Sequence, residues 1–331
     1  MAPYRAPRWL PGGHAQTIYA ALLAPAGTVR YARERWTTPD GDFIDIDRVA
    51  GASRESRAPL VVLFHGLEGS SASHYARAFM GAISRRGWRG AVAHFRGCSG
   101  EPNRLARAYH SGDSTEIDWM LRRFRSEAGA AALFAAGVSL GGNALLKWAG
   151  ERAGEALAIV SAVAAVSAPL DLMAAGEALG RGFNILYARH FLATLKRKSV
   201  AKLLKYPGLY DAVALGRART LREFDDLVTA PLHGFRDTDD YWTRASSKPL
   251  LVRIAVPALI INARNDPFLP ASALPSPGEV SDAVECEFPE EGGHAGFVDG
   301  AFPGRIDWLP HRIIWFFEQR LQPVPVRAAR D

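Results

Sequence analysis

Residues 137–141 read Gly-Val-Ser-Leu-Gly, a G-x-S-x-G in which Ser139 has a glycine two positions away on either side. The apolar run Ala131 to Ala136 leads into it, and Gly142-Asn143-Ala144-Leu145-Leu146-Lys147-Trp148 leads out with helical character. A strand that turns abruptly into a helix brings its own backbone together, so it needs those small neighbours. The turn also puts Ser139 at a helix N-terminus, where free N–H groups favour developing negative charge. The chemistry open to such a serine is attack on a carbonyl carbon. Its hydroxyl is a poor nucleophile at neutral pH, so an imidazole must take its proton and a carboxylate must orient the imidazole.

Asp266 lies in Asn262-Ala263-Arg264-Asn265-Asp266-Pro267, directly after an apolar run that ends at Ala263. His294 lies in Glu291-Gly292-Gly293-His294-Ala295-Gly296-Phe297, after the last strand-like stretch. Ser139, Asp266 and His294 therefore follow one another in an order used by serine hydrolases, and His294 is expected to work unprotonated. His14, His65, His94, His110 and His233 also sit in polar contexts, but none lies late in the chain in a glycine-lined loop. Asp237, Asp239 and Asp240 compete with Asp266, yet they belong to a segment off the expected sheet. An oxyanion hole needs two backbone N–H groups. Leu140, next after the serine, is one candidate. Leu67, in the His65-Gly66-Leu67-Glu68-Gly69 loop, is the other. His65 reads as a brace for that loop, and Ser70, Ser71 and Ser73 as helix-capping residues.

The elements that must hold these residues are legible as hydrophobic runs. Thr28 to Val49 holds two strand-like stretches, with Pro39-Asp40-Gly41 as the turn between them. Leu60 to Phe64, Gly90 to Phe95, Ala130 to Val138, Ala156 to Ala168, Val256 to Ala263 and Ala283 to Phe288 are candidate strands, the first continuous enough to be buried on both faces. Helices are expected from Asp113, with Glu116 completing a capping box, from Leu140 to Glu151, and from Trp308 to Gln322. This β–α alternation implies an α/β fold with a mostly parallel central sheet between helices. It stops from about 169 to 248, a mostly helical stretch read as a cap inserted into one domain of residues 1–331, over the sheet edge where such folds bind ligands.

Composition narrows the classes. With 48% hydrophobic and 22% charged residues in 331, the chain is too apolar for disorder and too charged for a membrane bundle. The net charge of +6 raises nucleic acid as a partner, but the arginines are scattered and no recognition motif accompanies them. Cys98 and Cys286 are too few for a disulfide framework, and the histidines show no ligand spacing, so no metal is expected. No phosphate-binding glycine loop appears, so no cofactor is expected either. Three prolines break the first thirteen residues, which lack the apolar core of a signal peptide, so a cytoplasmic protein is expected.

The chain resembles the YheT-like branch of the α/β-hydrolases, which includes bacterial hydrolases, eukaryotic abhydrolase-domain lipases and yeast medium-chain ester synthases. The resemblance runs from about Trp9 to Phe317. It rests on Leu10-Pro11-Gly12-Gly13-His14-Ala15-Gln16-Thr17-Ile18, the His65 to Gly69 loop, Phe95-Arg96-Gly97-Cys98-Ser99-Gly100, and Tyr109-His110-Ser111-Gly112-Asp113. Gly137 to Gly142, Arg222-Glu223-Phe224-Asp225-Asp226, Gly234-Phe235, Tyr241 and Gly292 to Phe297 continue it. It implies an α/β-hydrolase fold, a Ser139, Asp266, His294 triad and activity on carboxylic esters. Asn265 stands where many relatives carry a second aspartate, and the membrane anchor of the eukaryotic lipases has no counterpart.

The expected function is a serine carboxylesterase that cleaves short- to medium-chain acyl esters, its partner being a small-molecule acyl ester. An acylglycerol or phospholipid lipase and an alcohol acyltransferase would use the same triad. A non-catalytic α/β binding protein is the reading from another class. Arg181, Arg189, Lys196, Arg197, Lys198, Lys202 and Lys205 lie in an acid-free stretch with interleaved apolar residues, Leu192, Leu195, Ser199 and Leu203 sharing one helical face. That face is expected to pack on the sheet edge with the cations as a solvated exterior; peripheral membrane contact is the less favoured reading.

Overall fold

Alternate residues of the Leu60–Phe64 strand enter two different cores, which explains why the run has no polar side. The computed structural model describes residues 1–51 and 57–321. Its eight strands are β1 (Tyr31–Thr37), β2 (Phe43–Val49), β3 (Leu60–Phe64), β4 (Arg89–Ala93), β5 (Leu133–Val138), β6 (Ala162–Val166), β7 (Ala258–Ile261) and β8 (Val284–Glu287). They form one sheet in the order β1-β2-β4-β3-β5-β6-β7-β8. β2 runs antiparallel to both β1 and β4, and every other pairing is parallel. Val62 stands between Ala91 and Ala135, and Ala165 faces Ile260 across the β6–β7 pair.

Leu60, Val62 and Phe64 pack with Ile117, Leu121 and Phe124 of α3 (Ser114–Ala128) and with Leu145 and Trp148 of α4 (Leu140–Arg152). Val61 and Leu63 point the other way, onto Phe79 and Met80 of α2 (His74–Arg85) and Phe317 of the helix Trp308–Glu318. The sheet is thus covered on both faces, the arrangement that parallel strands require. Its order reverses around β3, with β4 on one side and β5 on the other. Ligands bind at the carboxyl edge of such a reversal.

The strands lie within the expected runs, except that β4 starts one residue earlier, at Arg89, and that Ala156 to Ala168 divides. Ala153–Ala158 forms a 3₁₀ turn, and β6 begins only at Ala162, where pairing with Phe134 starts. An unbroken alanine and valine run carries no periodicity to mark that boundary. Asp113 caps α3 by accepting from the Glu116 N–H, but Glu116 does not reciprocate; its carboxylate accepts from Arg96 at 2.6 Å. The serines after β3 do not cap α2 either. Ser73, at its N-cap, instead accepts from the Ser70 N–H, and the Ser71 hydroxyl donates to Asp47.

Between β6 and β7 the chain is helical, with α5 (Leu172–Leu179), the long α6 (Asn184–Lys205), several short turns and the helix Thr238–Ala245. This insertion rests on its own small clusters. Leu192, Leu215, Phe224 and Val228 form one, and Leu172, Ala230, Tyr241 and Trp242 another.

Candidate active site

Ser139 occupies the junction of β5 and α4 with φ 54° and ψ −124°. A non-glycine residue held there stores backbone strain on the order of 1–3 kcal/mol, which the surrounding contacts must offset. They do so from three directions. The Ser139 N–H donates to the Val166 carbonyl at 2.8 Å, while its carbonyl accepts from Gly142 and Asn143. The elbow leaves no room for side chains. A Cβ on Gly137 would stand 2.5 Å from the Gly141 oxygen, and one on Gly141 2.5 Å from the carbonyls of Phe64 and His65.

The His294 Nδ1 and Asp266 Oδ2 are 2.9 Å apart, and the Asp266 side chain is wholly buried. A carboxylate can only accept here, so Nδ1 carries the proton and Nε2 is left as the basic nitrogen. The other Asp266 oxygen accepts from the Phe268 N–H at 2.9 Å, and the Phe268 ring lies 4.2 Å from the imidazole. Ser139 and His294 line one cavity of about 550 Å³, together with Leu67 and Leu140. Among the described residues no hydrogen bond joins the Ser139 hydroxyl to the ring, a looseness common in ligand-free sites.

Leu140 is the first residue of α4, so its N–H has no acceptor inside the helix. Leu67 lies between two amides that are already committed. The Gly66 N–H donates to the Tyr75 hydroxyl at 2.8 Å and the Glu68 N–H to the Tyr109 hydroxyl at 2.9 Å. The loop passes directly beside the serine, since a Cβ on Gly66 would approach Ser139 Cβ to 3.1 Å. His65 braces it as expected. Its Nε2 accepts from the Phe95 N–H and its Nδ1 donates to the Gly66 carbonyl. Burial, with His94 nearby, pushes its pKa down to about 3 and keeps it neutral.

Three residues of this site carry no catalytic signal in the sequence. Gln16 and Thr17 belong to α1 (Gly13–Leu22), a helix formed by the N-terminal motif. Gln16 is fully buried; its Oε1 accepts from Asn265 Nδ2 and from the Gly292 N–H, both at 2.9 Å. Asn265 Oδ1 in turn accepts from the Gly293 N–H, and Thr17 Oγ1 accepts from the His294 N–H at 2.8 Å. One helix therefore ties the loop of Asp266 to the loop of His294. The only trace of Gln16 and Thr17 in the sequence is the Leu10 to Ile18 segment on which the family resemblance partly rests.

None of the competing residues meets Asp266 or His294 by a hydrogen bond among the described residues, although His110 lines the same cavity. His94 pairs with Asp47, His14 contacts the Tyr187 hydroxyl, and the His110 and His233 rings face each other at 4.5 Å. Asp237 caps the helix Thr238–Ala245, Asp239 pairs with Arg222, and Asp240 with Arg244. The cations of α6 are not all solvated, which corrects the expected exterior. Lys198 reaches inward to Glu68 at 2.8 Å, beside the Leu67 loop. Lys202 donates to Asn103 Oδ1 and to the carbonyls of Leu105 and Arg107, and burial lowers its pKa to about 8. Leu192, Leu195 and Leu203 do pack inward, but within the insertion, on Leu215, Phe224 and Val228.

A family model described as alpha/beta hydrolase fold matches residues 59–301. The chain belongs to this family. Within it, the chain is 41% identical to "Putative esterase YheT" of Escherichia coli (strain K12), over 91% of this chain and 88% of that one, which places it in the YheT-like branch. The human "Phospholipase ABHD3" is 29% identical over 91% of this chain and 75% of its own length. Among solved structures, the Pyrococcus furiosus esterase Pf2001 superposes with a TM-score of 0.53 at 14% identity, covering 88% of this chain and 93% of that one. A bacterial membrane phospholipase A superposes with a TM-score of 0.55 at 16% identity, covering 94% and 90%. These superpositions speak to the fold alone.

Proposed function

We propose that the protein is a serine ester hydrolase acting on short- to medium-chain acyl esters, with Ser139 as nucleophile, His294 as base and Asp266 as its orienting acid. The 2.9 Å contact between His294 and Asp266, on the same cavity as a serine held in a strand-to-helix elbow, is the observation that carries this reading. Ser139 Oγ attacks the ester carbonyl as its proton passes to His294 Nε2. The oxyanion is held by the N–H groups of Leu67 and Leu140. Collapse breaks the bond to the alcohol, which leaves with the proton from His294. Water, activated by the same nitrogen, then attacks the acyl-enzyme and frees Ser139. The YheT relative named as an esterase supports the reaction class, and the phospholipase relative supports an acyl ester of lipid type.

In this reading residues 169–248 act as a lid. Leu172, Leu179, Phe191, Leu195, Phe224 and Val228 supply apolar cavity wall opposite the sheet edge, suited to an acyl chain. A series of p-nitrophenyl esters of increasing acyl length tests the proposal. The expected result is turnover that rises with chain length to an optimum and then falls, and that vanishes in Ser139→Ala. Equal hydrolysis by the alanine variant would refute it.

A further inference from the structure

The inward face of α6 satisfies the packing needs of the insertion, yet its outward face is not an ordinary polar exterior. Leu186, Ala193, Arg197, Val200 and Leu204 recur at steps of seven, four, three and four, so they lie within about 40° of one line down the helix. Leu186 and Val200 are half exposed, and Leu204 keeps 84% of its surface in solvent. Single exposed leucines are ordinary. Three on one line, with Phe183 exposed at the helix start, form a stripe.

Charge surrounds that stripe with one sign. Between Arg181 and Arg219 the only acid is Asp211, and its carboxylate is engaged in capping the helix Ala212–Arg217. Lys198 and Lys202 are turned inward, but Arg189, Arg197 and Arg217 have no acidic partner among the described residues. Arg197 and Ala201 are exposed and also line the active-site cavity, so its mouth opens beside the stripe. A line on which exposed Leu186, Val200 and Leu204 alternate with His190 and Arg197, with Arg189 at its side, can rest in the plane of a membrane interface, apolar groups down and cations at the phosphates.

We infer that the outer face of α6 docks on an anionic lipid surface, with Leu186, Val200 and Leu204 entering the acyl boundary and Arg189 and Arg217 meeting lipid phosphates. The inference rests on the proposed esterase activity in one respect: docking sets the cavity mouth against the phase in which long acyl esters reside. No helix among the described residues is long and apolar enough to cross a membrane, so the contact is peripheral.

The test uses the full chain carrying Ser139→Ala, so that binding is read without turnover. Sedimentation with sucrose-loaded vesicles compares phosphatidylcholine alone with phosphatidylcholine containing phosphatidylglycerol. Binding to the anionic vesicles should be at least about tenfold tighter and should weaken as salt shortens the screening length to about 10 Å at 0.1 M. Arg189→Glu and Arg217→Glu should each cost roughly fivefold or more in partition. Leu186→Ser with Leu204→Ser should lower it comparably at an unchanged melting temperature. In the protein with Ser139 intact, these surface variants should leave turnover of a short water-soluble ester unaltered. Equal affinity for both vesicles, or binding indifferent to these substitutions, would overturn the inference. So would a solution dimer that Leu204→Ser dissolves, which would give the stripe to a second copy. Vesicle binding without any ester turnover would instead sink the esterase reading and leave docking intact.

Discussion

The floor of the site and the insertion above it are held in different ways. On the floor, four hydrogen bonds from Gln16, Thr17 and Asn265 fix the Asp266 and His294 loops against each other, all within a buried junction of α1 and the sheet edge. His74 adds a fifth tie to the same loop, its Nε2 donating to the Ala295 carbonyl; burial pushes that histidine down to about 4 and keeps it neutral. The insertion is joined to the body largely through the ends of long side chains. Lys198 meets Glu68, Lys202 meets the 103–107 loop, and Asn184 donates to the Pro267 carbonyl. Its far end is held by short buried groups: Asn143 donates to the carbonyls of Ser111 and Ala245 and accepts from the Ser247 N–H, and the Tyr241 hydroxyl accepts from the Ser111 N–H. The loops of Asp266 and His294 are thus held by short side chains and backbone amides, whereas the insertion meets the body mainly through the tips of long side chains.

This contrast is most open to attack at the triad. His294→Ala should leave the fold intact and lower ester turnover by about 10⁴ to 10⁶, because triad members act as a unit. Asp266→Asn should be equally folded and somewhat less impaired. If Asp266→Asn kept near-normal kcat/KM while a change at Asp237 or Asp239 removed it, the acid would be misassigned.

Gln16→Ala asks whether the floor is really fixed by α1. It strands Asn265 Nδ2 and the Gly292 N–H in a buried place, which costs about 1–3 kcal/mol for each unsatisfied group. A displaced imidazole should lower kcat by roughly 10- to 100-fold with KM little changed. An unchanged kcat with a raised KM would mean that α1 shapes substrate binding instead. Lys198→Met, at the insertion, should have a smaller effect of a few-fold on kcat/KM, restored in part by Lys198→Arg. A loss as large as that of Gln16→Ala would erase the distinction between the two regions.

The smallest expected effect is one of pH on the insertion. Burial raises Asp225 to about 6 from 3.8, against the donors Thr229 and Trp242. Its folded-state pKa is the higher one, so the stability it contributes is present below pH 3.8 and is lost as pH rises through 6. Asp225→Asn, which stays neutral, should therefore raise the melting temperature by a few degrees at pH 8 and leave it unaltered near pH 4. A gain of the same size at both values would trace the effect to packing.

The centre of the sheet was readable because β3, β5, β6 and β7 are buried on both faces and so appear as unbroken apolar runs. Ser139, Asp266 and His294 stand out as candidates because an elbow, a strand end and a glycine-lined loop leave local marks in the sequence. The role of Gln16 was not. Its value lies in contacts with Asn265 and Gly292 at the other end of the chain, and no local pattern encodes such a contact. The inward turn of Lys198 and Lys202 escaped for a related reason. Long aliphatic stems let a cation on a half-buried face reach either water or a carbonyl, and spacing alone does not choose between them.

The central claim is that Ser139 is an activated nucleophile, and a fluorophosphonate probe followed by peptide mapping tests it most directly. The expected result is a single covalent adduct on the peptide containing Ser139, formed quickly in the unaltered protein, slowly in His294→Ala and not at all in Ser139→Ala. Folded protein that takes up no probe, or an adduct on any other serine that persists in Ser139→Ala, would contradict it.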